Sequence, residues 1–176
     1  MYSNRRRDYS DKIFNSIGKG LYHKLFGRKI KIRSSKQEED FEGIDRKILY
    51  LDGTNRHITV SDRFRPAITK YGSSSLKLCE LDDFTIRSRN PVNKSLEIEN
   101  MKADYFLYAV VNEEEDGFCR WHLINIKDFI IKFKEGLIKP ARENQNNDGN
   151  SFYIFELEDL RKFDLVENEE FYGGMR

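Results

Sequence analysis

Ile44-Asp45-Arg46-Lys47-Ile48-Leu49-Tyr50-Leu51, Asp52-Gly53-Thr54-Asn55-Arg56 and His57-Ile58-Thr59-Val60-Ser61-Asp62-Arg63-Phe64-Arg65 decide how this chain folds. The first run is rich in Ile, Leu and Tyr. The last alternates Ile58, Val60 and Phe64 with Thr59, Ser61 and Arg63, the period-two pattern of a strand with one buried face. Asp-Gly between two such runs is a strong short-range hairpin signal. Strands are therefore expected over 44–51 and 57–64, joined by a tight turn. Pro66 has no N–H for a ladder and closes the second strand.

Upstream, Ile13, Phe14, Ile17, Leu21 and Leu25 recur at helical spacing. They predict an amphipathic helix of about four turns, capped by Ser10 or Asp11 and stopped at Gly27. Its apolar stripe reads as core cover. Residues 1–9 read as a frayed tail. Arg28-Lys29-Ile30-Lys31-Ile32-Arg33 alternates basic and apolar residues, as a short strand with a basic face would.

Downstream, 71–75 reads as a flexible connection. Residues 76–81 and 84–87 read as strand, and 95–103 as one or two helical turns. Tyr105–Val111 is the most apolar run and is expected to be a central strand buried on both faces. An acidic turn at 113–117 leads to a paired strand at 118–124. Asn125 caps a helix over 126–135 that Gly136 ends. Residues 140–150 read as loop, 152–157 as a strand, 158–163 as a short helical turn, and the acidic segment from Glu167 as a tail. Strands in a run between helices argue for an α/β (α+β) domain with a mixed sheet, not a repeating βαβ chain.

The chain of 176 residues fits one domain, 1–176, with 38% apolar and 13% aromatic residues. Its formal charge of +1 hides a gradient. Residues 1–36 hold 11 Lys and Arg against 2 acids, and residues 37–176 hold 20 against 28. A basic first fifth on an acidic body suggests an anionic partner, nucleic acid being the commonest kind. Arg28, Lys29, Lys31 and Arg33 are the candidates to hold phosphates, with Arg65 beside them. Cys79 and Cys119 are too few for a disulfide framework and lack the paired spacing of a zinc site. A reducing, cytoplasmic setting fits. The longest apolar run has seven residues, against the roughly 20 needed to cross a bilayer, so no membrane role is expected.

The order of Gly43-Ile44-Asp45, a hairpin, Ile58–Arg65 and then Ala103-Asp104-Tyr105-Phe106-Leu107-Tyr108-Ala109 resembles the PD-(D/E)XK nuclease superfamily, in its phage and restriction-type members. The resemblance spans roughly residues 10–135. It implies a restriction-endonuclease-like central sheet flanked by helices, Mg²⁺ (or Mn²⁺) as cofactor, DNA as partner and, as in many such enzymes, a homodimer. Asp45 matches the first acid of the pattern. Asp62 would be the second metal ligand, and Arg63 would stabilise the transition-state charge in place of the motif lysine. The second motif departs from the pattern, because the position two before Arg63 is Ser61. In an ideal strand Asp62 points to the opposite face from Arg63. Glu42 and Glu80 are the alternative carboxylates. A non-catalytic, nuclease-like protein binding nucleic acid or another protein is the second functional reading. Surface ion pairing of Asp62 with Arg63 and Arg65 is the structural alternative.

Overall fold

A computed structural model of the chain describes residues 2–35, 43–71, 74–92, 94, 97–146 and 148–171, without the side chains of 2–7, 70 and 71. The chain starts with a helix. α1 (Tyr2–Ile13) runs through a π-helical segment at Phe14–Gly18 into α2 (Lys19–Phe26). Here the expectation of a frayed start before Ser10 is corrected, because helix begins at Tyr2. Gly18 lies against Phe64, where an added Cβ would sit 3.2 Å from the ring. That close approach explains a glycine in mid-helix. At Gly27, φ of 92° ends the helix as expected.

Strands β1 (Ile30–Ser34), β2 (Arg46–Tyr50), β3 (His57–Pro66), β7 (Tyr105–Val111), β8 (Phe118–Asn125) and β11 (Val166–Phe171) form one mixed sheet in the order β1-β2-β3-β7-β8-β11. β3 and β7 are parallel, and the other neighbours are antiparallel. Between β3 and β7 the chain forms a small hairpin, β4 (Ile68–Tyr71) with β5 (Ser74–Lys77), and then β6 (Asp83–Arg89). β6 pairs with β10 (Ser151–Glu156), and β10 with β9 (Arg142–Gln145), in a second antiparallel sheet. Helix α3 (Ile126–Lys134) follows β8, and α4 (Leu157–Arg161) follows β10. The molecule is thus an α+β domain.

The large sheet is covered on both faces. On one, α1 and α2 bury Ile13, Phe14, Leu21 and Tyr22 against Ile48, Val60, Phe64, Leu107 and Ala109. On the other, Phe106, Tyr108 and Val110 join Phe84, Phe129 and Phe155 from the second sheet and α3. β7 feeds both cores from alternate residues, as its unbroken apolar run requires. Each fully buried Phe, Leu or Ile contributes about 1.5–3 kcal/mol, so the sheet is the stable frame for everything attached to it.

Several segments differ from expectation. The β2–β3 connection is not a tight turn but spans residues 51–56, with Gly53 and Asn55 at positive φ and Asp52 accepting from Thr54. Residues 74–75 lie in β5, and Leu78–Glu80 is a 3₁₀ turn instead of strand. Around 95–103 there is one 3₁₀ turn, Ile98–Asn100. Residues 142–145 are a strand, and the acidic segment from Glu167 is the edge strand β11. Cys79 and Cys119 form a disulfide across 40 residues, which corrects the reading of the cysteines as isolated. Fully buried Arg120 ties the same corner, donating from Nε to Leu78 O at 2.8 Å. No helix among the described residues is long and apolar enough to cross a membrane.

Candidate functional site

Asp45 and Asp62 come together because β2 and β3 are antiparallel neighbours. The Asp45 amide donates to Val60 O at 2.9 Å, which sets Asp45 beside Ser61. Asp45 Oδ2 accepts from Ser61 Oγ at 2.9 Å and from the Asp62 amide at 2.8 Å. The Asp62 side chain leaves the strand towards the helix. Its Oδ2 accepts from Arg46 Nε at 3.0 Å and from Tyr22 Oη at 2.8 Å. Arg46 also donates to Ser34 Oγ at 2.8 Å and Asp11 Oδ1 at 3.0 Å, and stacks 4.0 Å from the centre of the Phe14 ring. Arg46 and Asp62 are nearly sealed, with 5% and 2% of their side chains exposed.

Burial and the Asp62 charge push the Asp45 carboxyl up to about 7. Burial also raises Asp62, against the pull of Arg46 and Tyr22. Tyr22 is held well above its ordinary value by burial and by Asp62. Arg46 stays charged, because its acids outweigh the cost of its burial.

These groups do not fit a divalent cation. Mg²⁺ asks for a near-octahedral shell of oxygens, several of them water. The Asp62 oxygen that faces inwards already serves a guanidinium and a phenol. Asp45 keeps to the side of Ser61, and the pleat carries Asp62 to the other side. Among the described residues no group of three or more His, Cys, Asp or Glu could hold a metal.

Arg63 is also apart from Asp62. It reaches the second sheet, donating to Thr85 O at 3.3 Å with its guanidinium 4.6 Å from the Phe152 ring centre. Asp62 and Arg63 therefore leave β3 on opposite faces, while Asp45 touches the Asp62 amide. Arg65, on the side of Arg63, donates weakly to Thr69 Oγ1 at 3.4 Å. Glu80 is exposed and pairs with Lys77 at 3.5 Å, and Glu42 lies outside the described residues.

The basic residues near the N-terminus make a second surface. Ile30 and Ile32 pack on the helix side, so Lys29, Lys31 and Arg33 belong to the opposite face, with Lys31 exposed. Register pairs Arg33 with Lys47 and Lys31 with Leu49. Lys47 faces Thr59, and Leu49 faces His57. None of these outer residues belongs to either apolar cluster of described residues. The strip is thus a basic sheet face. Asp45, two residues before Lys47, lies at its end, held by Ser61. Arg28 is exposed in the bend before β1.

Arg46, Tyr22 and Lys47 were not singled out from sequence, and Ser10 and Asp11, read as helix caps, lie inside α1, where Asp11 instead pairs with Arg46. One signal was available: Arg46 occupies the inward register of Ile48, and a charge there needs a buried partner. No family model, curated protein or solved structure matches the chain.

Proposed function

We propose that the protein is a nucleic-acid-binding domain that grips phosphates with the outer face of β1 and β2 and does not cut the strand. The observation that carries this reading is the strip of Lys29, Lys31 and Arg33 beside Lys47. Same-face residues along a strand recur about every 7 Å, and cross-strand neighbours lie about 5 Å apart. Such a row of cations suits a phosphate backbone. His57, opposite Leu49, is the one aromatic ring that the described register places on the strip, so its contacts are mainly ones that position nucleic acid without reading its sequence.

The buried cluster supports a structural role for the acids. Arg46 takes the place that a cation would need beside Asp62 and clamps α1, β1, β2 and β3 together. Cleavage by a metal-dependent endonuclease is the competing reading, and its support is the nearness of Asp45 to Asp62.

One experiment separates the two. Supercoiled plasmid is incubated with the protein and Mg²⁺ or Mn²⁺, beside Asp45→Ala. Salt-sensitive retention of labelled DNA is measured on the same samples. Retention without nicking, weakened at least tenfold by Lys31→Glu with Lys47→Glu, is the expected result. Nicking by the native chain that disappears in Asp45→Ala would establish the endonuclease instead.

A further inference from the structure

A concave site lies away from the basic strip. It is a groove of about 480 Å³ where the end of β3, the β4–β5 hairpin and the second sheet meet. That size suits a small ligand. Its floor is apolar, with Leu76, Leu78, Tyr108 and Ile154. Arg65 from β3 and Arg142 from β9 both line it, as do the amide residues Asn144, Gln145 and Asn146.

Thr85 and Ile154 are direct cross-strand partners, and both line the groove. The Thr85 Oγ1 atom is buried and has no hydrogen-bond partner among the described residues. The acids at the groove are engaged: Asp83 is bound by Arg120, and Glu143 accepts from Ser88 at 2.7 Å. A hydroxyl bond leaves the Glu143 charge in place, so the groove sets Arg65 and Arg142 against one exposed carboxylate.

Apolar floor, amides and paired arginines match three parts of one kind of molecule. A flat heteroaromatic base covers apolar surface, amides meet its polar edge, and guanidinium groups take a phosphate by charge-assisted hydrogen bonds. We propose that this groove binds a nucleotide, either free or as the phosphorylated end of a strand. The site is independent of the strip on β1 and β2. It also places Arg65 at a phosphate without any role in cleavage.

The test is titration of the folded chain with each common nucleoside monophosphate, followed by calorimetry and by amide chemical shifts. Parallel titrations use the matching nucleosides, inorganic phosphate, and short oligonucleotides with a 5′-phosphate or a 5′-hydroxyl. At least one monophosphate or 5′-phosphorylated oligonucleotide should bind saturably, with shifts centred on β6, β9 and Tyr108. Its nucleoside or 5′-hydroxyl counterpart should bind at least tenfold more weakly. Arg65→Ala and Arg142→Ala should each cost about tenfold, and Leu76→Trp, which fills the floor, should abolish binding while circular dichroism stays unchanged. Binding should survive Lys31→Glu with Lys47→Glu. Tighter binding of the monophosphate would identify a free nucleotide as the ligand, and tighter binding of the oligonucleotide a strand end. The proposal fails if none of these ligands saturates. It also fails if inorganic phosphate binds as well as the nucleotide, or if folded Leu76→Trp binds like the native chain.

Discussion

Arg46 and Asp62 form an ion pair at 3.0 Å with both side chains almost entirely out of water. Such a pair is weak evidence of net stabilisation, because each charge loses its hydration. Removing one partner is different, since it strands the other. Arg46→Met should therefore destabilise the fold by about 3–5 kcal/mol. Arg46→Met with Asp62→Leu should regain most of that. Urea unfolding of both variants checks the cycle; a loss under about 1 kcal/mol in the single variant would mean that the cluster is not held as described.

Asp45 gives a pH signature. Its carboxyl is raised from an ordinary 3.8 to about 7, first by burial and then by Asp62. A raised acid adds its full stability below the unfolded value and loses it as pH climbs through the folded one. In the native chain this contribution fades between roughly pH 4 and 7. Asparagine can accept the same bonds from Ser61 and the Asp62 amide without acquiring charge. Asp45→Asn should thus gain stability relative to the native chain at pH 8 and little at pH 4. An equal effect at both pH values would show that Asp45 titrates as an ordinary acid.

The disulfide links residues 40 positions apart. Closing a loop of that size removes unfolded-state entropy equivalent to about 4 kcal/mol in the chain-entropy description. Reduction, or Cys79→Ser with Cys119→Ser, should lower stability by about 2–4 kcal/mol, read as a shift in the urea midpoint. Protein unfolded without reductant should titrate no thiol. One thiol per cysteine in that sample would contradict the pairing.

The sequence made the interior strands readable and the edges obscure. β3, β7 and β8 carry apolar residues at the spacing their faces demand, and Asn125 caps α3 as its side chain predicts, accepting from the Asp128 amide. By contrast, Arg142-Glu143-Asn144-Gln145 and Val166-Glu167-Asn168-Glu169-Glu170 have no such alternation. They are strands because a neighbour offers a ladder, and edge strands tolerate charge. Glu169 shows what the tail gained, accepting from His122 at 2.9 Å and from Arg161 at 2.7 Å.

For the site, the sequence led to Asp45 and Asp62 and to the basic strand. It did not reveal what meets them. Asp11, Tyr22 and Ser34 reach Arg46 and Asp62 through packing of the helix and β1 on the sheet, which no local spacing encodes. Lys47 could be placed beside Arg33 only once the β1–β2 register was known. Arg63 shows the converse: the resemblance grouped it with Asp62, but strand alternation alone already set the two on opposite faces, where the structure has them.

The most direct test of the nucleic-acid reading is the salt dependence of binding. Fluorescence anisotropy of a labelled oligonucleotide would be followed across a range of salt concentrations. Four phosphate contacts, from Lys29, Lys31, Arg33 and Lys47, predict a log–log slope of about −3 to −4. Lys31→Ala with Lys47→Ala should make the slope shallower by about 1.5–2. A native chain that binds with the same slope as this double variant, or that fails to bind even at low salt, would contradict the account.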